Sequence, residues 1–149
     1  DWSPIIRLGF SISIPEEYIK DIDVRLNLYK RISKIKNIED LKEVLEGLRD
    51  RFGKVPLSFK NLFQILEIKI MAKKANISKI DYSNKGFVLE FKTDKMDKVE
   101  NIIKLVKNNA SFLKFLPNSK IFYKNENVED IDRINGLKNL LSIMLRVNE

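Results

Sequence analysis

Residues 48–56 read LRDRFGKVP, and the fold is decided by how this run is parsed. Leu48 and Phe52 close a series, Ile38, Leu41, Val44, Leu45, Leu48 and Phe52, whose spacing is that of one helix face. Gly53 supplies the left-handed residue that closes a helix, and Pro56 fits the first turn of the next one. The stretch is thus a corner between two helices, and the chain can be read outward from it in both directions.

Upstream, Asn37 can cap the free N–H groups of the helix ahead of the corner, while Glu39 and Asp40 complement the positive end of its dipole. An earlier helix is predicted from about Asp23, with Val24, Leu28 and Ile32 at helical spacing, joined by Tyr29 and Ile35. Arg25 falls inside that apolar arc and needs a carboxylate or backbone carbonyls as partner. Residues 5–14, IIRLGFSISI, alternate: Ile6, Leu8, Phe10, Ile12 and Ile14 fall on one side, Arg7, Gly9, Ser11 and Ser13 on the other. This is the period of a half-buried strand, ended by Pro15.

Downstream, residues 57–75 carry a wide apolar arc through Phe59, Leu62, Phe63, Ile65, Leu66, Ile68 and Ile70, which predicts a central helix. Residues 78–82 and 87–93 read as strands joined by SNKG, whose glycine allows positive φ. A helix follows, with Met96, Val99, Ile102, Ile103 and Val106 at helical spacing and Asn108 and Asn109 at its end. Strands at 112–116 and 120–124 flank a PNS turn, and a last helix from near Asn127 turns Ile131, Ile134, Leu137, Leu140, Leu141 and Met144 inward. The predicted order is β-ααα-ββ-α-ββ-α, an α+β fold with a mainly antiparallel sheet packed against helices.

With 149 residues, 44% of them hydrophobic, the chain has the size and composition of one domain, 1–149. Its start at Asp1 suggests a piece of something longer. No apolar run approaches the roughly 20 residues of a membrane span, and no signal-peptide pattern opens the sequence, so a cytoplasmic protein is the expectation. The chain has no cysteine and no histidine. That removes disulfides, thiolate chemistry, the usual general base and the commonest metal ligand. No phosphate-cradling GxxxxGK[ST] loop is present either, and the expectation is a chain without catalytic, metal-binding or cofactor-binding residues of its own.

The formal charge of +7 permits attraction to nucleic acid or to an acidic surface. Lysine outnumbers arginine, and the lysines are spread along the chain as on a solvated surface. The nucleic-acid alternative would draw on Lys69, Lys73 and Lys74 and on the lysines of the helix beginning near Asp94. Against this basic average stands one acidic feature. On a wheel of the helix preceding the corner, Asp50 lies opposite the apolar arc, and Glu39, Glu43 and Glu46 fall within about 40° of it. Four carboxylates therefore share an outward stripe, either as a solvated face softened by Lys42 and the flanking arginines or as a docking face for a basic partner.

Four strings, IPEEYI (14–19), RLNLYKRI (25–32), DRFGKVP (50–56) and NLFQILEIK (61–69), resemble in order and spacing the C-terminal domain of the bacterial transcription-repair coupling factors, the Mfd family. The second half of the chain is similar only in its pattern of elements. The resemblance implies a regulatory module at the end of an ATP-dependent DNA translocase that displaces stalled RNA polymerase and recruits UvrA in nucleotide excision repair. ATP and magnesium would belong to motor domains upstream. It further implies that the module docks on the UvrB-like module of the same chain, masks UvrA binding and restrains the motor. Asp50 and Arg51 are the docking candidates carried by the matching motif, to which the wheel adds Glu46, Glu43 and Glu39. Arg25, Tyr29, Phe52, Gly53 and Pro56 belong to the same strings as structural positions. The sequence departs from the family pattern at Gly47, where a glutamate is usual; the adjacent Glu46 is an imperfect substitute.

Overall fold

The computed structural model describes residues 2–10 and 13–149. Its elements run β1 (Ile5–Arg7), α1 (Ile22–Ser33), α2 (Ile38–Phe52), α3 (Leu57–Lys74), β2 (Ile77–Ser83), β3 (Gly86–Phe91), a 3-10 turn at Thr93–Lys95, α4 (Val99–Asn108), β4 (Leu113–Leu116), β5 (Lys120–Lys124) and α5 (Asp130–Val147). The α+β order is the one read from the sequence. The chain divides into two compact units, Phe10–Ile70 on one side and Asp1–Gly9 with Met71–Glu149 on the other, and the boundary falls within α3.

The helical unit, Phe10–Ile70, is built on α1, α2 and the larger part of α3. Asp21 caps α1 by accepting from the Asp23 and Val24 amides, and Asn37 caps α2 by accepting from the Asp40 amide at 2.8 Å. These caps satisfy N–H groups that a helix start leaves unpaired, which is why both helices begin where they do. Leu28 and Ile32 of α1, Leu41, Val44 and Leu48 of α2, and Phe59, Phe63 and Leu66 of α3 form one buried cluster with Ile14, Ile19 and Val55.

Arg25 is inward, with a side chain only 13% exposed. Its Nη1 donates to the carbonyls of Ile19 at 2.7 Å and Lys20 at 3.1 Å, while Glu16, itself 82% exposed, stands 3.7 Å away. The carbonyls therefore hold the guanidinium, because an ion pair with so solvated a partner contributes little. Replacing Arg25 with alanine is expected to cost about 1–3 kcal/mol, the range for losing hydrogen bonds to a charged donor. A urea midpoint equal to that of the parent chain would contradict this.

The sheet unit carries a five-stranded sheet in the order β1-β2-β3-β5-β4. β1 is parallel to β2, and the other pairs are antiparallel. β3 buries Phe87, Leu89 and Phe91 in strict alternation, and α5 buries Ile134, Leu137, Leu140, Leu141 and Met144. α4 packs on both α5 and β4.

Several expectations need correction. The strand expected over 5–14 ends at Arg7, because Gly9 adopts φ +87°, and a Cβ there would strike the Tyr82 ring. Ser11 and Ile12 of that stretch lie outside the described residues. Gly53 does close α2 with a positive φ, but at φ +86° and ψ −161° it is in a region open essentially to glycine alone rather than in the left-handed helical one. Pro56 stands one residue before α3, its carbonyl accepting from the amides of Phe59 and Lys60. The strand expected to reach residue 93 ends at Phe91, since the chain winds into the 3-10 turn; Met96 consequently precedes α4, and Phe112 precedes β4. Ile131, expected inward, is 52% exposed, and of the set at helical spacing in α4 Val99 and Ile103 are 45% and 37% exposed. On the α5 wheel Ile131 lies about 120° from the centre of the buried arc, whereas Arg133 lies about 40° from it.

Candidate docking surface

α2 presents the candidate site. It is held at both ends: at its start by the Asn37 cap, at its end by Gly53, whose amide donates to the Arg49 carbonyl at 3.0 Å. Tyr18 adds a tie. Its hydroxyl lies 2.8 Å from the Gly53 carbonyl and 3.1 Å from that of Leu48. A hydroxyl has one proton to donate, so the shorter contact is the principal bond and the two carbonyls share it. Burial raises the Tyr18 hydroxyl above the ordinary tyrosine pKa, and nearby Arg49 pulls it partly back. The ring meets Phe52 and Phe59, each with centroids 5.8 Å apart. Tyr18 belongs to the IPEEYI string, but no periodic signal in the sequence marks its role, because it lies outside any helix.

On this rigid element Glu39, Glu43, Glu46 and Asp50 are all exposed, as is Arg51. Among the described residues none of the four carboxylates has a cation within 4.0 Å. From Glu39 to Asp50 the helix rises roughly 16 Å, so the acids form a line rather than a cluster. Accordingly no group of three or more acidic side chains among the described residues is placed to hold a metal ion. The arrangement suits contact with an extended basic surface more than it suits chemistry, which needs a desolvated pair.

Arg51 lies beside the stripe, its guanidinium 4.9 Å from the centre of the Phe52 ring. Phe52 is half-buried, and the Tyr29 hydroxyl accepts from the Ile14 amide at 2.8 Å. Gly47 faces solvent between Val44 and Arg51, and it lines a groove of about 400 Å³ between α1 and α2 that sequence reasoning missed.

The lysines of the nucleic-acid alternative are partly committed elsewhere. Lys73 donates to the Trp2 carbonyl at 2.8 Å and lies 5.4 Å from the centre of the Trp2 ring, and Lys98 donates to the Asn148 carbonyl at 2.9 Å. Lys69 is half-buried, and Lys74 is exposed.

Residues 8–102, more than half of the chain, match the family described as TRCF domain. The chain belongs to the TRCF domain family. A transcription-repair-coupling factor of Rickettsia prowazekii is 33% identical over 144 residues, which is 97% of this chain and 13% of that protein. One from Escherichia coli is 37% identical over 86 residues, 58% of this chain and 8% of the relative. This TRCF chain thus spans about an eighth of the length of the first of these relatives. A crystal structure described as the C-terminal domain of transcription-repair coupling factor superposes with a TM-score of 0.81, covering 98% of this chain and 94% of that one at 22% identity, which is a likeness of fold. No helix among the described residues is long and apolar enough to cross a membrane.

Proposed function

We propose that this TRCF domain is a non-catalytic regulatory module of a longer transcription-repair-coupling factor, an ATP-dependent translocase that acts on stalled RNA polymerase and recruits UvrA. The acidic face of α2 docks on an arginine-bearing surface of a UvrB-like module in the same protein, masks UvrA binding and restrains the motor. The observation that carries this reading is the line of four exposed carboxylates with no cation partner among the described residues, mounted on a helix fixed at both ends. Arginine forks pair bidentately with carboxylates, and a line of such pairs sets register as well as affinity. Regulation by competition for a surface needs no catalytic group. ATP and magnesium act in other parts of the protein.

The test is charge reversal in the full-length factor. Asp50→Ala should change the stability of the domain by only about 0.5 kcal/mol or less, as at any exposed helix position. It should weaken docking by about 1–3 kcal/mol, the effect of removing one partner of an interfacial charge pair. Reversal at Glu43 and Glu46 should act in the same direction, exposing the UvrA site and raising basal ATPase. Variants that fold normally, bind UvrA no better without polymerase and show unchanged ATPase would refute the reading.

A further inference from the structure

β4 is an outermost strand of the sheet, paired with β5 on one side and with no strand on the other. The Lys124 amide donates to the Phe112 carbonyl at 2.8 Å, which sets the alternation of this antiparallel ladder. Lys114 and Leu116 therefore turn their backbone groups toward β5, and Leu113 and Phe115 turn theirs to the open edge. The Leu113 amide is taken by the Asn109 carbonyl at 2.8 Å, but among the described residues the N–H and C=O of Phe115 have no partner. Edges are commonly blunted by shortness, lysine and proline, and β4 has only four residues with Lys114 inside it and Pro117 after it. The exposed Phe115 works against that protection.

Beside this edge α4 and β4 border an apolar groove, floored by the buried Ile102 and Ile121 and walled by Val99, Ile103, Phe115 and Leu116. Its volume of about 160 Å³ is well below the roughly 300–1,000 Å³ of small-molecule sites, so it suits single side chains. The surroundings are basic: residues 92–124 contain eight lysines and three carboxylates. β4 and β5 carry no acid, and among the described residues Lys104, Lys107, Lys114 and Lys120 have no carboxylate within 4.0 Å. Of the three acids, Asp94 is held by Lys92 at 3.4 Å. Asp97 and Glu100 stand at the start of α4, Glu100 roughly 10 Å along the helix from Lys107 and the turn into β4. Glu90, across from Lys120, is on β3, two strands in from the edge.

We propose that the open edge of β4 takes up an extended acidic segment of a partner protein as an added strand. The main chain of the segment pairs with Phe115, and its alternate apolar side chains enter the groove against Phe115, Ile103 and Val99. The Asp or Glu residues between them fall on the face of Lys114, with Lys107 at the rim. Charge selects this occupant. The lysines reject a basic segment, and a second copy of this chain would set lysines against lysines in a protein already at +7. A nucleic acid would answer the lysines, but its phosphates are acceptors only and offer no donor to the Phe115 carbonyl. The contact uses α4 and β4 alone and does not depend on the acidic face of α2.

The experiment titrates the labelled chain with a synthetic peptide of alternating Val and Glu, following methyl and amide resonances. Parallel titrations use a Val/Lys peptide, a Val/Glu peptide N-methylated along one edge, and a single-stranded oligonucleotide. Saturable shifts at Val99, Ile103 and Phe115, with slowed exchange of the Phe115 amide, are expected with the unmodified Val/Glu peptide alone. The double variant Lys107→Glu, Lys114→Glu should weaken binding about tenfold or more, the scale of a lost interfacial charge contact. Its fold is secure because both positions are exposed. Glu39→Gln should leave this binding unchanged, which separates the result from the acidic-face reading. Absence of saturable shifts, equal binding of any of the three control ligands, undiminished binding by the double variant, or equal weakening by Glu39→Gln would overturn the proposal.

Discussion

Phe59→Ala is expected to lower the stability of the helical unit by about 3–5 kcal/mol, the range for emptying a fully buried aromatic site. Phe59 has no exposed surface. Its ring meets Tyr18 edge-on at 5.8 Å and Phe63 at 5.3 Å. The substitution removes transfer energy and both ring contacts, and it leaves a cavity that cannot collapse without moving α3. It also withdraws the support of Tyr18, whose hydroxyl ties the end of α2 through the Gly53 carbonyl. Hydrogen exchange should therefore show loss of protection across α1 and α2 as well as α3. A denaturation midpoint within 1 kcal/mol of the parent would show that the cluster is not the unit's centre.

In the sheet unit the matching effect is expected at Arg133, which is only 7% exposed. Its Nη2 donates to the carbonyls of Ser83 at 2.7 Å and Gly86 at 3.1 Å, at the β2–β3 turn. The guanidinium is also 4.5 Å from the centre of the Tyr82 ring and 5.0 Å from that of Phe87. No carboxylate is within 4.0 Å of it among the described residues, so the buried charge is balanced by carbonyl dipoles and ring faces alone. Its Nε is buried without a hydrogen-bond partner, a cost the rest of the arrangement outweighs. Arg133→Ala should destabilise the unit by about 3–4 kcal/mol, combining lost charged hydrogen bonds with a cation–π contact to buried Phe87 and one to the more exposed Tyr82. Arg133→Lys should recover only a minority of this, because an ammonium lacks the planar fork and the flat face that stacks. Full rescue by lysine would mean that charge alone matters there.

Gly86, at the same turn, shows why the hairpin tolerates no larger residue. A Cβ there would collide with the Tyr123 carbonyl of the neighbouring β5. The glycine has the positive φ, +156°, expected of SNKG, and close approach across the sheet is a second, independent reason for it.

The boundaries of α2 and the outward direction of its acids were readable from residues alone. A cap, a closing glycine and a 3.6-residue period act within one or two turns, so Asn37, Gly53 and the wheel through Leu41, Val44 and Leu48 specify the helix without help from distant chain. The same locality made the hairpins at SNKG and PNS and the inward arc of α5 legible. Tertiary structure alone decided the rest. β1 stops at Arg7 although alternation continues, because Gly9 turns beneath a Tyr82 ring that belongs to another strand. The α5 period alone turns Arg133 inward and Ile131 outward, but the carbonyl acceptors and ring faces that make a buried guanidinium tenable there come from β2 and β3. Tyr18 acquires its role only when the end of α2 reaches it. The groove exists because two helices present the same spacing to each other: in the sequence Gly47 is only a departure from a family pattern, and it becomes part of a groove wall once α1 stands opposite. Local rules fix where an element begins and which way a residue points, whereas partners far along the chain decide what that residue meets.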